Sequence, residues 1–225
     1  MQNEAFLNAA WVTIKVAFLS STLATVLGTM AAYVLVRAGR FHGRTLFSGL
    51  VTAPLIMPEV ITGISMLIFF ILMADWIGWP GSRGFTTITL AHITFSMVFV
   101  TTIVNARMVQ SDRAIEEAAM DLGESRWSAF RLVTLPLVMP GIVSSMLIAF
   151  TISLDEFIIA FFLTGANPTM PVYIWGLLRF PASLPVVMAL GTILVSMSIV
   201  LLTIAEILRR RGMARVGVKD KGGFL

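Results

Sequence analysis

Glu59, Asp155 and Glu156 lie inside long apolar runs of this chain, and Asp112, Glu116, Glu117, Asp121 and Glu124 crowd into one segment of 13 residues. Only 12% of the residues are charged, so both placements are unusual. Carboxylates at membrane depth suit the compensation of a desolvated cation, an amine above all; they would repel sulfate, phosphate or molybdate. The crowded segment instead makes an acidic face on which another protein can dock. Covalent catalysis finds no support. There is no cysteine, His42 sits among arginines, and His92 stands alone in an apolar run, for a packing role or a place along a path. No ligand cluster suggests a metal. No G-x-x-x-x-G-K-[ST] loop occurs, so this chain does not itself bind ATP, and Gly81-Ser82-Arg83-Gly84 is a short turn.

The elements that must position these groups are membrane spans. Hydrophobic residues make up 57% of the chain and the mean hydropathy is +0.91, which predicts an all-α polytopic membrane protein. About 20 apolar residues cross a hydrocarbon core of roughly 30 Å. Five such spans are read at about 10–36, 47–74, 87–106, 138–163 and 185–208. They use up the 225 residues as a single transmembrane domain, 1–225, with no room for a separate soluble one. Each span must be helical or closed, because lipid satisfies no backbone polar group.

Charge sets the direction. Thirteen of the sixteen Lys and Arg residues fall in 37–46, 107–137 and 209–225, among them Arg37, Arg40, Arg44, Arg126, Arg131, Lys219 and Lys221. The opposite segments hold Arg83 and Arg179. The predicted orientation is therefore N-terminus outside and C-terminus cytoplasmic. Residues 1–36 read as a retained span and not a cleaved leader, since the arginines follow the apolar run. Lys15, one turn inside, extends its amine to the headgroups or pairs with an intramembrane carboxylate. The basic 209–225 tail is an anchor to anionic membrane lipid; no nucleic-acid partner is implied.

Glu59 lies about 12 residues into its span, roughly 18 Å along it. It follows Pro58, with Pro54 four residues before that, so a break or kink is predicted there. Irregular backbone at that depth needs protein or a wet cavity around it. A substrate path and a carboxyl hydrogen-bonded within the bundle both satisfy this. Asp155 and Glu156 are adjacent, and helical neighbours diverge by about 100°, so they cannot both face one target. Their burial implies a water-filled vestibule, a cationic partner, or structural pairing, for instance with Lys15.

Residues 107–136 read as helix, turn, helix. Ile115, Ala118, Ala119 and Leu122 form a narrow apolar stripe, and Arg113 and Glu117 pair four apart. Gly123 supplies the turn, Ser125 caps a second short helix bearing Trp127 and Phe130, and Pro136 marks the start of the next span. The loop's net charge of −1 disfavours a lipid-surface role, which calls for a Lys- and Arg-rich polar face.

Glu117-Ala118-Ala119, three residues, Gly123, nine residues, then Val133-Thr134-Leu135-Pro136 resembles the signature loop of ABC importer permease subunits. The stretches Ala53 to Gly63, Ile77-Gly78-Trp79-Pro80 and Ser153-Leu154-Asp155-Glu156-Phe157 look like the second permease of polyamine importers, the putrescine type most of all. The resemblance implies the five-helix core of the type I ABC importer permease fold, with a sixth span preceding it in polyamine permeases. It implies a coupling helix in the loop 107–137, with Glu117, Ala118, Ala119, Asp121, Gly123, Leu135 and Pro136 as its residues, docked on a dimer of separate ATPase subunits that bind the ATP. It also implies a second, homologous permease subunit, an external or periplasmic substrate-binding protein, and residence in the bacterial inner membrane. Putrescine or polyamine uptake by alternating access is the expected activity, with Glu59, Asp155 and Glu156 along the path. An importer of a ferric complex or thiamine is the alternative, and a secondary transporter or membrane scaffold a more distant one.

Overall fold

The computed structural model describes residues 2–215, so Lys219 and Lys221 of the basic tail lie outside the described residues. Among those described there is no strand. The order is α1 (Gln2–Arg37), α2 (Arg44–Ile56), α3 (Glu59–Ile77), α4 (Phe85–Gln110), α5 (Arg113–Asp121), α6 (Arg126–Ala129), α7 (Leu135–Asp155), α8 (Ile158–Leu163), α9 (Met170–Leu177) and α10 (Leu184–Arg215). Among the described residues five helical stretches are long and apolar enough to cross a membrane: Glu4–Arg37, Glu59–Ile77, Phe85–Gln110, Arg126–Asp155 and Pro181–Leu208.

The bundle is organised around α1. Its 36 residues extend roughly 54 Å at 1.5 Å per residue, well beyond a hydrocarbon core. Ala17, Ser20, Ala24, Gly28 and Ala32 follow one another at helical spacing and nearly all are buried. A stripe of small residues lets two backbones approach closely, which is how helices pack where lipid offers no hydrophobic drive. α1 accordingly packs along α4, and both pack on α7. The one hydroxyl on this stripe, Ser20, bonds to the Ala17 carbonyl, and beside the stripe Thr13 and Thr25 bond to the Ala9 and Ser21 carbonyls. Two apolar clusters fill the interior, one around Val16, Ile88 and Ile159, the other around Val104, Met108 and Val138. α3 lies against α8, and α10 lies outside α7. Only 17% and 11% of the α3 and α10 spans are buried, against 67% for α4, so the outer helices turn their apolar sides to lipid or to a partner.

Two of the spans read from the sequence have a different form. The run 47–74 is two helices, α2 and α3, separated at Met57 and Pro58. Met57 is extended (ψ 133°), the conformation that a following proline favours. The run 138–163 begins earlier and ends earlier. A π-helical segment, Phe130–Thr134, joins α6 to α7 without a turn, and Leu135 stays helical although Pro136 follows it. The wider ring, in which the Leu135 N–H reaches the Phe130 carbonyl, carries the proline within a continuous helix. At the other end Glu156 is extended (ψ 117°) and stops α7, so Asp155 and Glu156 flank a break instead of lying within a helix.

The α1–α4 contact gives a stability test. A Cβ built on Gly28 would sit 2.8 Å from Val100 Cβ, whereas one on Gly49 meets nothing within 4 Å. Gly28→Leu is expected to destabilise the purified protein by about 1–3 kcal/mol through overpacking. Gly49→Leu should leave the thermal unfolding midpoint in detergent close to that of the parent.

Candidate functional site

The acidic loop is a well-capped helix presented on a defined turn. The Asp112 carboxylate accepts from the Ala114 N–H at 2.9 Å and starts α5. Arg113 and Glu117 pair at 2.9 Å on the exposed side. At the other end Gly123 takes φ 95°, a left-handed conformation that costs glycine nothing. This lets the Glu124 N–H reach the Ala119 carbonyl and the Gly123 N–H the Met120 carbonyl, at 3.1 and 3.0 Å, the Schellman closure of a helix C-terminus. Ser125 then caps α6, accepting from the Ser128 N–H.

This closure fixes what α5 shows. Ile115, Glu117, Ala118, Asp121 and Leu122 are exposed, while Ala119 is half-buried. Leu122 is 87% exposed, an apolar side chain held in solvent at the tip of the loop. Leu135 and Pro136 are not on this face; they belong to the first turn of α7. Trp127 and Phe130 stack with centroids 5.5 Å apart, and Phe130 meets Tyr33 of α1 edge-on at 4.7 Å.

The inner side of α5 is tied to the end of α1. Arg37 Nε donates to Glu116 Oε1 at 2.9 Å, and its Nη2 lies 2.7 Å from the same oxygen and donates to Ser111 Oγ at 2.9 Å. Both charged side chains are almost covered. The sequence marks Glu116 as one of a cluster but nothing in the local spacing names its partner, which is 79 residues away.

Glu59, Asp155 and Glu156 have separate surroundings. Glu59 is the first residue of α3, exposed, with no hydrogen-bond or ion-pair partner among the described residues. Asp155 ends α7 and accepts from Ser198 Oγ of α10 at 2.6 Å. Glu156 is buried. Its two oxygens accept from the Ile159 and Ala160 N–H groups at 2.8 and 2.9 Å, closing over the start of α8. His92 Nε2 lies 3.2 Å from Glu156 Oε2, close enough for charge pairing though off the line of a hydrogen bond. Its Nδ1 is 2.7 Å from Ser153 Oγ, which in turn is 3.0 Å from Ser20 Oγ of α1. Pairing of either carboxylate with Lys15 is not what the structure has: the Lys15 amine sits over the Trp11 ring at 4.9 Å.

The chain matches the family of binding-protein-dependent transport system inner membrane components over residues 24–213. It is 44% identical to the putrescine transport system permease protein of Escherichia coli K12 over 195 residues, 86% of this chain and 69% of that protein. It is 33% identical to the spermidine/putrescine transport system permease protein of Haemophilus influenzae over 210 residues, 93% and 79% of the two chains. Among solved structures it is similar to an inward-facing form of the MetNI methionine ABC transporter, with a TM-score of 0.75 at 17% identity over 94% of this chain and 97% of that one. A bacterial ABC transporter involved in import of the acidic polysaccharide alginate gives 0.75 at 20% identity, over 92% and 80%. At those identities the likeness is one of fold.

The Glu156 cluster makes a testable statement. Glu156→Ala removes the acceptor of two N–H groups and strands His92, and is expected to cost about 3 kcal/mol of stability. Asp155→Ala, which loses one hydroxyl contact near the surface, should cost about 1 kcal/mol. Thermal unfolding of the two purified variants in detergent measures the difference.

Proposed function

This chain belongs to the family of binding-protein-dependent transport system inner membrane components and is an ABC importer permease, and from that premise we propose that its cargo is putrescine or a close polyamine. The observation that carries the reading is the extent of its similarity to a putrescine permease, which runs through most of the chain. The charge inside the bundle supports it. A polyamine leaving water needs its ammonium groups compensated, and Glu59 and Asp155 are exposed carboxylates at membrane depth. Glu156 is already held by α8 and His92. It acts by keeping the α7–α8 break in shape behind the path.

ATP is bound and hydrolysed on two separate ATPase subunits. The outer face of α5, with Glu117, Ala118, Asp121 and Leu122, enters a groove on one of them, and the Gly123 turn, followed by Leu135 and Pro136, sets its angle. The break at Met57–Pro58 is exposed on this chain together with its neighbours Leu55 to Ile61. Such backbone is tolerated at membrane depth only against protein or a wet cavity, which supports a second permease facing it with the path between. An external binding protein delivers the polyamine, and closure of the ATPase pair moves α5 so that the path opens outward. The end bearing α5 is the cytoplasmic one and the N-terminus is outside.

The chain has no cysteine, which makes the orientation directly measurable. A single cysteine at Ser82 should react with an impermeant thiol reagent added outside intact cells, and one at Ser125 should not. The opposite pattern refutes the orientation.

For the cargo, the complex reconstituted with its binding protein should take up labelled putrescine, competed by spermidine and not by sulfate or a neutral sugar. Glu59→Gln and Asp155→Asn should each lower uptake about tenfold at unchanged assembly, the scale of one charge-assisted contact of about 1.5 kcal/mol. Transport of an anion or neutral solute with no response to diamines overturns the polyamine reading.

A further inference from the structure

Residues of α5 pack on α6 and on the π-helical segment, that is, on their own loop. Among the described residues the loop meets the end of α1 through the Arg37 bonds to Glu116 and Ser111 and the Tyr33–Phe130 ring contact. Beside them opens a half-open cavity of about 590 Å³ lined by Tyr33, Arg37, Arg113, Glu116, Met120 and Trp127. A helix held across a cavity passes force only through the contacts that bridge it. For α5 itself that contact is Glu116, because the adjacent Glu117 points to solvent, with 54% of its side chain exposed against 12% for Glu116.

Arg37 is suited to the task. It is the last residue of α1, the helix that packs along both α4 and α7. Its planar fork holds Glu116 with one edge and Ser111 with the other, and the Ser111 hydroxyl donates to the Met108 carbonyl at the end of α4. Three elements therefore meet on one guanidinium. A partly shielded pair of this kind is far less screened by salt and solvent than the Arg113–Glu117 pair on the outer side.

We propose that Arg37, paired with Glu116 and Ser111, is the positioning residue that makes α5 move as one body with α1, and so passes displacement of the docking helix into the bundle. The proposal rests on the reading of α5 as the ATPase-docking element. A push on α5 without this link would be absorbed by the cavity beneath it, leaving ATP hydrolysis without transport.

The test uses the assembled transporter in proteoliposomes, with ATP hydrolysis and polyamine uptake measured on the same sample. Arg37→Gln and Glu116→Gln are expected to keep the complex assembled and hydrolysing ATP while uptake per ATP falls about tenfold, within the usual range of inter-site coupling. Arg37→Lys, which retains the charge but cannot hold both partners, should fall between these and the parent. The Arg37→Gln/Glu116→Gln double variant should transport as well as either single one, since both remove the same link. A purely structural role would lower assembly, hydrolysis and uptake together, and that result overturns the proposal. Unchanged uptake per ATP in the single variants, or additive losses in the double one, overturns it equally. If the parent chain fails to bring down an ATPase subunit, it is the docking reading of α5 that fails, and the two failures are told apart.

Discussion

A helix that begins inside an apolar bundle leaves its first N–H groups without partners, and neither lipid nor packed side chains can supply them. This constraint governs the break between α7 and α8. Glu156 meets it by folding its carboxylate onto the Ile159 and Ala160 N–H groups. A buried carboxylate then creates its own demand for compensation, and His92 answers from α4. His92 in turn fixes Ser153, and Ser153 meets Ser20. One unsatisfied helix start thus organises a polar thread through α8, α7, α4 and α1, the four helices whose packing makes the interior.

The other break is handled differently. At Met57–Pro58 the proline has no N–H to lose, and the following helix opens with Glu59, whose negative charge suits a helix N-terminus. Among the described residues no side chain caps it, and the surrounding residues are exposed. The two breaks therefore divide between them what a transport subunit needs. One is sealed inside the chain and holds its shape, while the other is left open toward whatever lies beside it.

Much of this is legible in the sequence, because two of its signals are local. Apolar length marks the spans, and a glycine four residues beyond Glu117-Ala118-Ala119 marks the end of a capped helix, which the Gly123 turn realises through contacts no more than five residues apart. The proline pair at 54 and 58 likewise announces a break within a residue or two of its position. What escapes is non-local or depends on geometry. Asp155-Glu156 reads as part of a helix because neither residue breaks one by propensity; the break is stabilised by His92, 64 positions away in the sequence. Pro136 reads as a boundary because proline usually is one, and only the π-helical ring beside it reverses that. Arg37 reads as one more basic residue at a membrane edge, since Glu116 becomes its neighbour only after α1 and α4 have packed side by side.

That packing is itself a consequence of small residues. Ala17, Ser20, Ala24, Gly28 and Ala32 bring α1 close enough to α4 for the far ends of both helices to converge, and there Arg37 finds Ser111 and Glu116. Bulk on that stripe would push the helices apart and strain the link to α5 without any change in the loop. The acidic face of α5 and the carboxylates at the α7–α8 break are thus joined through the least conspicuous residues of the chain. Their small side chains place α1 where one arginine can hold the loop, and the same helix carries the serine that ends the polar thread from Glu156. A rigid α1 makes movement at one end available at the other; a loosely packed one would dissipate it.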